Sequence, residues 1–160
     1  MLGVAGLIMG SYDLSLEPIP EDARELYGPE ADAITLEMFE ARVSNPYRRP
    51  MAAANVVVSG LVLIGSFLLS WRRKLAPWWI RQAVVAKVIW IVAYTATMVH
   101  HVQRTFPKEL LDEVGAPLSA VTGVLVMFGV ISASLHIAAA YRATRPDIVQ
   151  LIETAAKARR

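Results

Sequence analysis

Three apolar runs, each long enough to cross a bilayer, constrain everything else this chain can be. Residues 51–70 (MAAANVVVSGLVLIGSFLLS) carry no charge. Residues 80–99 (IRQAVVAKVIWIVAYTATMV) carry Arg81 at the edge and Lys87 inside. Residues 118–141 (LSAVTGVLVMFGVISASLHIAAAY) carry none when His136 is neutral. A helix needs about 20 predominantly apolar residues to cover a hydrocarbon core. Helices of soluble proteins are seldom apolar all round for that length. Composition agrees: 55% of residues are hydrophobic, yet 19% are charged, so the charges sit in blocks. At 160 residues the expectation is one domain, an all-α integral membrane helical bundle with three transmembrane helices.

The same composition removes several classes of function. A net charge of +2 gives no electrostatic footprint for nucleic acid. The absence of cysteine rules out disulfides, thiolate metal sites and thiol nucleophiles. There is no GxGxxG, no phosphate-binding P-loop, no HExxH and no GxSxG.

Residues 1–10 (MLGVAGLIMG) are apolar, contain Gly6-xxx-Gly10 and are too short to span. They lack the basic start and cleavage site of a signal peptide. They read as an interfacial stub or, by slight preference, as the outer part of a truncated fourth helix begun upstream. Residues 11–50 form an acidic segment, with nine carboxylates against four arginines. Pro20 followed by Glu21, Asp22 and Glu25 has the pattern of a helix start. Residues 29–43 read as a second short helix, with Ile34, Met38 and Ala41 on one face, ended by Asn45-Pro46. Residues 51–145 make the membrane domain. Residues 146–160 read as an amphipathic tail helix, opened by Pro146 and Asp147, with Ile148, Leu151, Ile152 and Ala155 as its apolar stripe.

Orientation follows from the cations. Arg72, Arg73, Lys74 and Arg81 flank the loop between the first two spans, and Arg142, Arg145, Lys157, Arg159 and Arg160 follow the third. Arg48, Arg49, Arg104 and Lys108 lie at the other side. The positive-inside rule places loop 71–79 and the C-terminus in the cytoplasm and residues 11–50 and 102–116 outside, in a plasma or inner membrane.

Few residues can carry chemistry. Lys87 lies about 10 Å inside its span at 1.5 Å per residue. The simplest expectation is that its stem reaches back to the cytoplasmic interface. On heptad spacing it shares a face with Tyr94 and His101, with Trp90 and Thr97 between, a polar seam of the kind that faces protein or water. His136, with Ser132 on its face, is expected at about the depth of Lys87, where the two can share a hydrogen bond or both contact a headgroup phosphate. His100 and His101, adjacent on a helix, diverge by about 100° and make a poor chelate. A haem between His101 and His136 is opposed by a separation on the order of 20 Å. Small residues Ser119, Gly123, Gly129 and Ala133 mark a packing face on the last span, and Ser59, Gly60, Gly65 and Ser66 one on the first. No metal, cofactor or catalytic residue is expected. The expected partners are the lipid bilayer and other protein chains or further copies of this one.

These features predict a small non-enzymatic membrane scaffold or accessory subunit. A transporter or channel component using the polar seam is the alternative. A haem- or quinone-binding anchor subunit is a further one.

Overall fold

The computed structural model describes residues 2–17, 33–114 and 117–157. Its helices are α1 (Leu2–Ser15), α2 (Ala33–Ser44), α3 (Arg48–Ser70), α4 (Ala76–Thr105), α5 (Lys108–Val114), α6 (Leu118–Ala143) and α7 (Pro146–Lys157), and no strand occurs among the described residues. α3, α4 and α6 are long and apolar enough to cross a membrane. The helix start expected at Pro20 lies outside the described residues.

Local chemistry sets the boundaries. α2 stops at Ser44, where Asn45 turns the chain: its Oδ1 accepts from the Tyr47 backbone N–H at 2.9 Å. Pro46 cannot donate to a continuing helix. α3 closes with Arg72 in the left-handed region at φ 50°. The Arg72 N–H then reaches the Leu69 carbonyl and the Arg73 N–H the Leu68 carbonyl, each at 2.9 Å. This pair of bonds satisfies carbonyls that would otherwise end the helix unpaired. α4 restarts four residues later with Pro77 in its first turn. At 30 residues α4 is about 45 Å long, more than a hydrocarbon core requires.

The extra length of α4 is used at one end. Met98, Val102 and Phe106 meet Ala41 of α2 and Leu111 of α5 in a buried cluster, with Met38, Leu118, Val121 and Leu125 packed around it. α2 therefore caps the bundle, and its Met38 and Ala41 face inward as their spacing predicts.

α4 is the hub, packed on α3 along one side and on α6 along another, while α1 packs on α3. α1 runs antiparallel to α3. A methyl at Gly3 would lie 3.0 Å from Leu63 N, and one at Gly10 would lie 3.2 Å from the Ala52 carbonyl oxygen. Residues 2–15 are thus a packed helix that outruns the ten apolar residues. α6 is peripheral, with only Thr122 and His136 buried along it. In α7, Ile152 is buried, Ile148 and Ala155 are half-buried and Leu151 is exposed, so the stripe is narrower than its spacing implies.

Candidate functional site

The densest group of polar side chains within the apolar helices surrounds Lys87. α4 directs it at α3, where Asn55 and Ser59, one helical turn apart, form its receptor. Lys87 is 4% exposed. Its Nζ donates to Asn55 Oδ1 and, at 2.9 Å, to Ser59 Oγ. Its third direction faces the Trp90 ring, 4.4 Å from the centroid. Ser59 Oγ donates to Asn55 Oδ1 at 3.2 Å. The Asn55 amide nitrogen donates to the Gly6 carbonyl of α1 at 3.2 Å. One ammonium thus ties α4 to α3, and one amide ties α3 to α1.

This geometry corrects the snorkelling expectation. The ammonium stays inside because partners from α3 neutralise the cost of leaving water, and its nearest protein groups leave no donor aimed at the interface. The hydrogen bond that a common depth would allow between Lys87 and His136 is also not formed: each has other partners.

Gly6 makes the cluster possible. A methyl at that position would fall 2.2 Å from Ser59 Oγ and 3.1 Å from Lys87 Nζ. Asn55, absent from the sequence expectations, is the only amide in residues 51–70, and that isolation was the signal available.

The rest of the seam is shared among several helices. The Trp90 indole stacks on Tyr94, centroids 5.1 Å apart, and donates from Nε1 to the Met51 carbonyl at 2.8 Å. Thr97 bonds back to its own helix, to the Ala93 and Tyr94 carbonyls. His101 Nε2 sits 3.1 Å from Ser44 Oγ of α2. Lys87, Tyr94 and His101 share a face of α4, but Lys87 is engaged by α3 and His101 by α2.

A second polar group meets the seam at Tyr94, which hydrogen-bonds with Arg42 where α1 ends. Asp13 pairs with Arg42 of α2. Arg48, buried in the first turn of α3, donates to the Asp13 carbonyl at 3.1 Å and to the Leu16 carbonyl at 2.6 Å. A guanidinium at a helix C-terminus satisfies exposed carbonyls and opposes the helix dipole. Burial pushes the Asp13 carboxyl above its ordinary range, against the pull of Arg42 and Arg48.

His136 makes no hydrogen bond to either group, though it lies within electrostatic reach of Lys87. It is 6% exposed, and its Nδ1 lies 2.7 Å from the Ser132 carbonyl oxygen. Its Nε2 is buried with no hydrogen-bond partner among the described residues. His136 lines a cleft of about 260 Å³ between the start of α1, the C-terminal half of α3, the N-terminal half of α4 and the end of α6. Ser66, also on the cleft, turns its hydroxyl onto the Val62 carbonyl of its own helix.

The small residues of α6 divide by face. A methyl at Gly129 would lie 2.6 Å from Thr95 Oγ1, so α6 meets α4 there. Ala133 is half-buried on the following turn. Among the described residues, Gly123 has open space around it and Ser119 is exposed, so neither marks a helix contact there. On the first span, Gly65 is tight against Trp79 and Ile80, whereas Gly60 is open.

No cluster of three or more His, Asp and Glu side chains that could hold a metal occurs among the described residues. No protein family model, curated protein or solved structure matches the chain.

Proposed function

We propose that this is a multi-pass membrane protein with a non-enzymatic role, a scaffold or accessory subunit that presents α6 to other membrane components. The observation that carries the reading is the closure of the polar core. Lys87, Asn55, Ser59 and the Gly6 carbonyl bond to one another, so the intramembrane cation serves as a lock between helices. A transport path needs polar groups that face water or a passing solute. α6 supports the second half of the reading: it packs mainly on α4, and Val124, Met127, Phe128, Val130 and Ile131 are all exposed.

In the proposed orientation, loop 71–75 and α7 lie in the cytoplasm and α2 and α5 lie outside. The partners are lipid and other protein chains contacting α6. The scaffold and transporter readings separate on the accessibility of Lys87. In lipid nanodiscs, where both membrane faces are open to solvent, a water-soluble amine-reactive reagent should modify Lys74 and leave Lys87 unmodified, read by peptide mass spectrometry. Modification of Lys87 at a rate comparable to Lys74 would overturn the scaffold reading and favour a water-filled path.

A further inference from the structure

The two ends of the bundle treat their cations differently. At the end where α1 stops, Arg42 pairs with Asp13, and Arg48 is spent on the carbonyls of Asp13 and Leu16. Lys108 opens a helix that also carries Glu109 and Asp112. At the other end stand Arg72, Arg73 and Lys74 after α3, Arg81 in the second turn of α4, and Arg142 and Arg145 where α6 gives way to α7. All six are exposed. Only Arg145 has an acidic partner among the described residues, Asp147 at 3.3 Å. Cations gathered without counter-charge repel one another and attract an anion.

The cleft between α1, α3, α4 and α6 runs to that same end. Its wall passes from Val62 to Leu69 on α3, from Val84 back to Ile80 on α4, and from His136 to Ala143 on α6. The Arg72 backbone N–H bonds to the Leu69 carbonyl at 2.9 Å. Arg81 follows Ile80, and Arg142 precedes Ala143. A cationic residue therefore stands at the end of each of these three walls. The lining is mostly aliphatic and contains no Lys, Arg, Asp or Glu. Its volume of about 260 Å³ suits a stretch of hydrocarbon chain. Trp71 and Trp78, both exposed, flank the cationic loop at the level where indoles meet lipid headgroups.

We propose that this end of the bundle binds an anionic phospholipid, with one acyl chain in the cleft and the headgroup phosphate on the arginines that surround its end. Guanidinium groups match phosphate oxygens two at a time, and their stems can lie along apolar surface while the heads stay at the interface. A zwitterionic lipid offers the same chains and phosphate but brings its own cation, so net charge decides between them. A soluble phosphate would leave the cleft unused. The proposal depends neither on the scaffold reading nor on which side of the membrane this end faces.

The test reconstitutes the full chain in phosphatidylcholine vesicles doped with either phosphatidylglycerol or phosphatidylcholine carrying brominated acyl chains. Three of the four tryptophans, Trp71, Trp78 and Trp79, lie at this end, so quenching of their fluorescence reports which lipid is adjacent. Phosphatidylglycerol should bind about fivefold or more tightly, the preference that a single engaged surface cation corresponds to. Replacing Arg72, Arg73 and Lys74 together with Gln should remove most of that preference, and Arg104→Gln at the opposite end should leave it unchanged. Ala140→Leu, which narrows the cleft, should weaken phosphatidylglycerol binding with helicity unaltered. Excess glycerol phosphate in solution should not compete. Equal quenching by the two brominated lipids overturns the proposal. So does a preference that survives the triple replacement or falls with Arg104→Gln. Unchanged binding in Ala140→Leu removes the acyl chain from the cleft, and displacement by glycerol phosphate assigns the cations to a soluble anion; either result also overturns it.

Discussion

Gly6→Ala is the smallest change that separates a lock between helices from a chance meeting of polar groups. The added methyl would stand 2.2 Å from Ser59 Oγ and 3.0 Å from Ser59 Cβ, both inside contact distance. Either Ser59 rotates away, or α1 lifts off α3. Rotation gives up the Lys87–Ser59 bond; lifting gives up the bond from Asn55 to the Gly6 carbonyl. A hydrogen bond between membrane helices contributes about 0.6–1.7 kcal/mol. Forcing an extra methyl into a packed contact adds about 1–3 kcal/mol. The variant should therefore be about 2–4 kcal/mol less stable, measured by denaturant titration in mixed micelles with helicity as the readout. Ser59→Gly in the Gly6→Ala background removes the clashing side chain. The double variant should recover part of the loss, with a coupling of more than about 1 kcal/mol. If Gly6→Ala is as stable as the parent, α1 does not approach α3 this closely. Strictly additive losses would show that Gly6 and Ser59 do not touch.

Other substitutions test the same arrangement elsewhere. Lys87→Met should cost about 1–3 kcal/mol, because it leaves the Asn55 oxygen without its ammonium partner in an apolar core. Lys87→Arg should not restore stability, since the longer planar head does not fit the Asn55–Ser59 receptor; a neutral effect of both in the same titration would return the lysine to the interface. Gly129→Leu should destabilise the α4–α6 contact through Thr95 while Gly123→Leu leaves the melting temperature of the isolated protomer unchanged, and equal melting shifts for the two would contradict that division. The proposed orientation predicts that, in intact cells, an impermeant maleimide labels Ser15→Cys and spares Lys74→Cys. The reverse pattern would invert the topology. Lys74 is a better reporter than neighbouring Ala76, which is fully buried.

What the sequence revealed and what it hid follow from where each piece of information lies. The three long helices were legible because a bilayer-length apolar run is a local property. Their true ends were less so. Arg48 reads as a loop charge until its guanidinium is seen on the carbonyls of Asp13 and Leu16, some thirty residues away. For the same reason α1 reads as stopping near Gly10, where polar residues begin. It continues to Ser15 because Arg42 and Arg48 meet the charge and the carbonyls at its end. Lys87 was legible as an exception and misread as a snorkeller, because depth along a helix is local and the identity of the facing helix is not. The spacing of Gly123 and Gly129 gave a small-residue face without saying how far along α6 the neighbour runs.

The distribution of polar contacts sets α6 apart from the other long helices. In lipid, apolar surface alone gives helices little reason to associate, so close packing and polar contacts must hold them together. α1, α3 and α4 have both: glycines at the α1–α3 contact, and a connected set of bonds through Lys87, Asn55 and Ser59. The Trp90 and Trp79 indoles of α4 each donate to a carbonyl of α3 as well, at 2.8 and 3.1 Å. α6 has the approach of Gly129 to Thr95 and the apolar contacts of its first turns. Its own buried polar groups, Thr122 and His136, bond to carbonyls of α6 itself. An element held mainly by packing on one neighbour is the one whose remaining exposed surface would carry the proposed contact with a second chain.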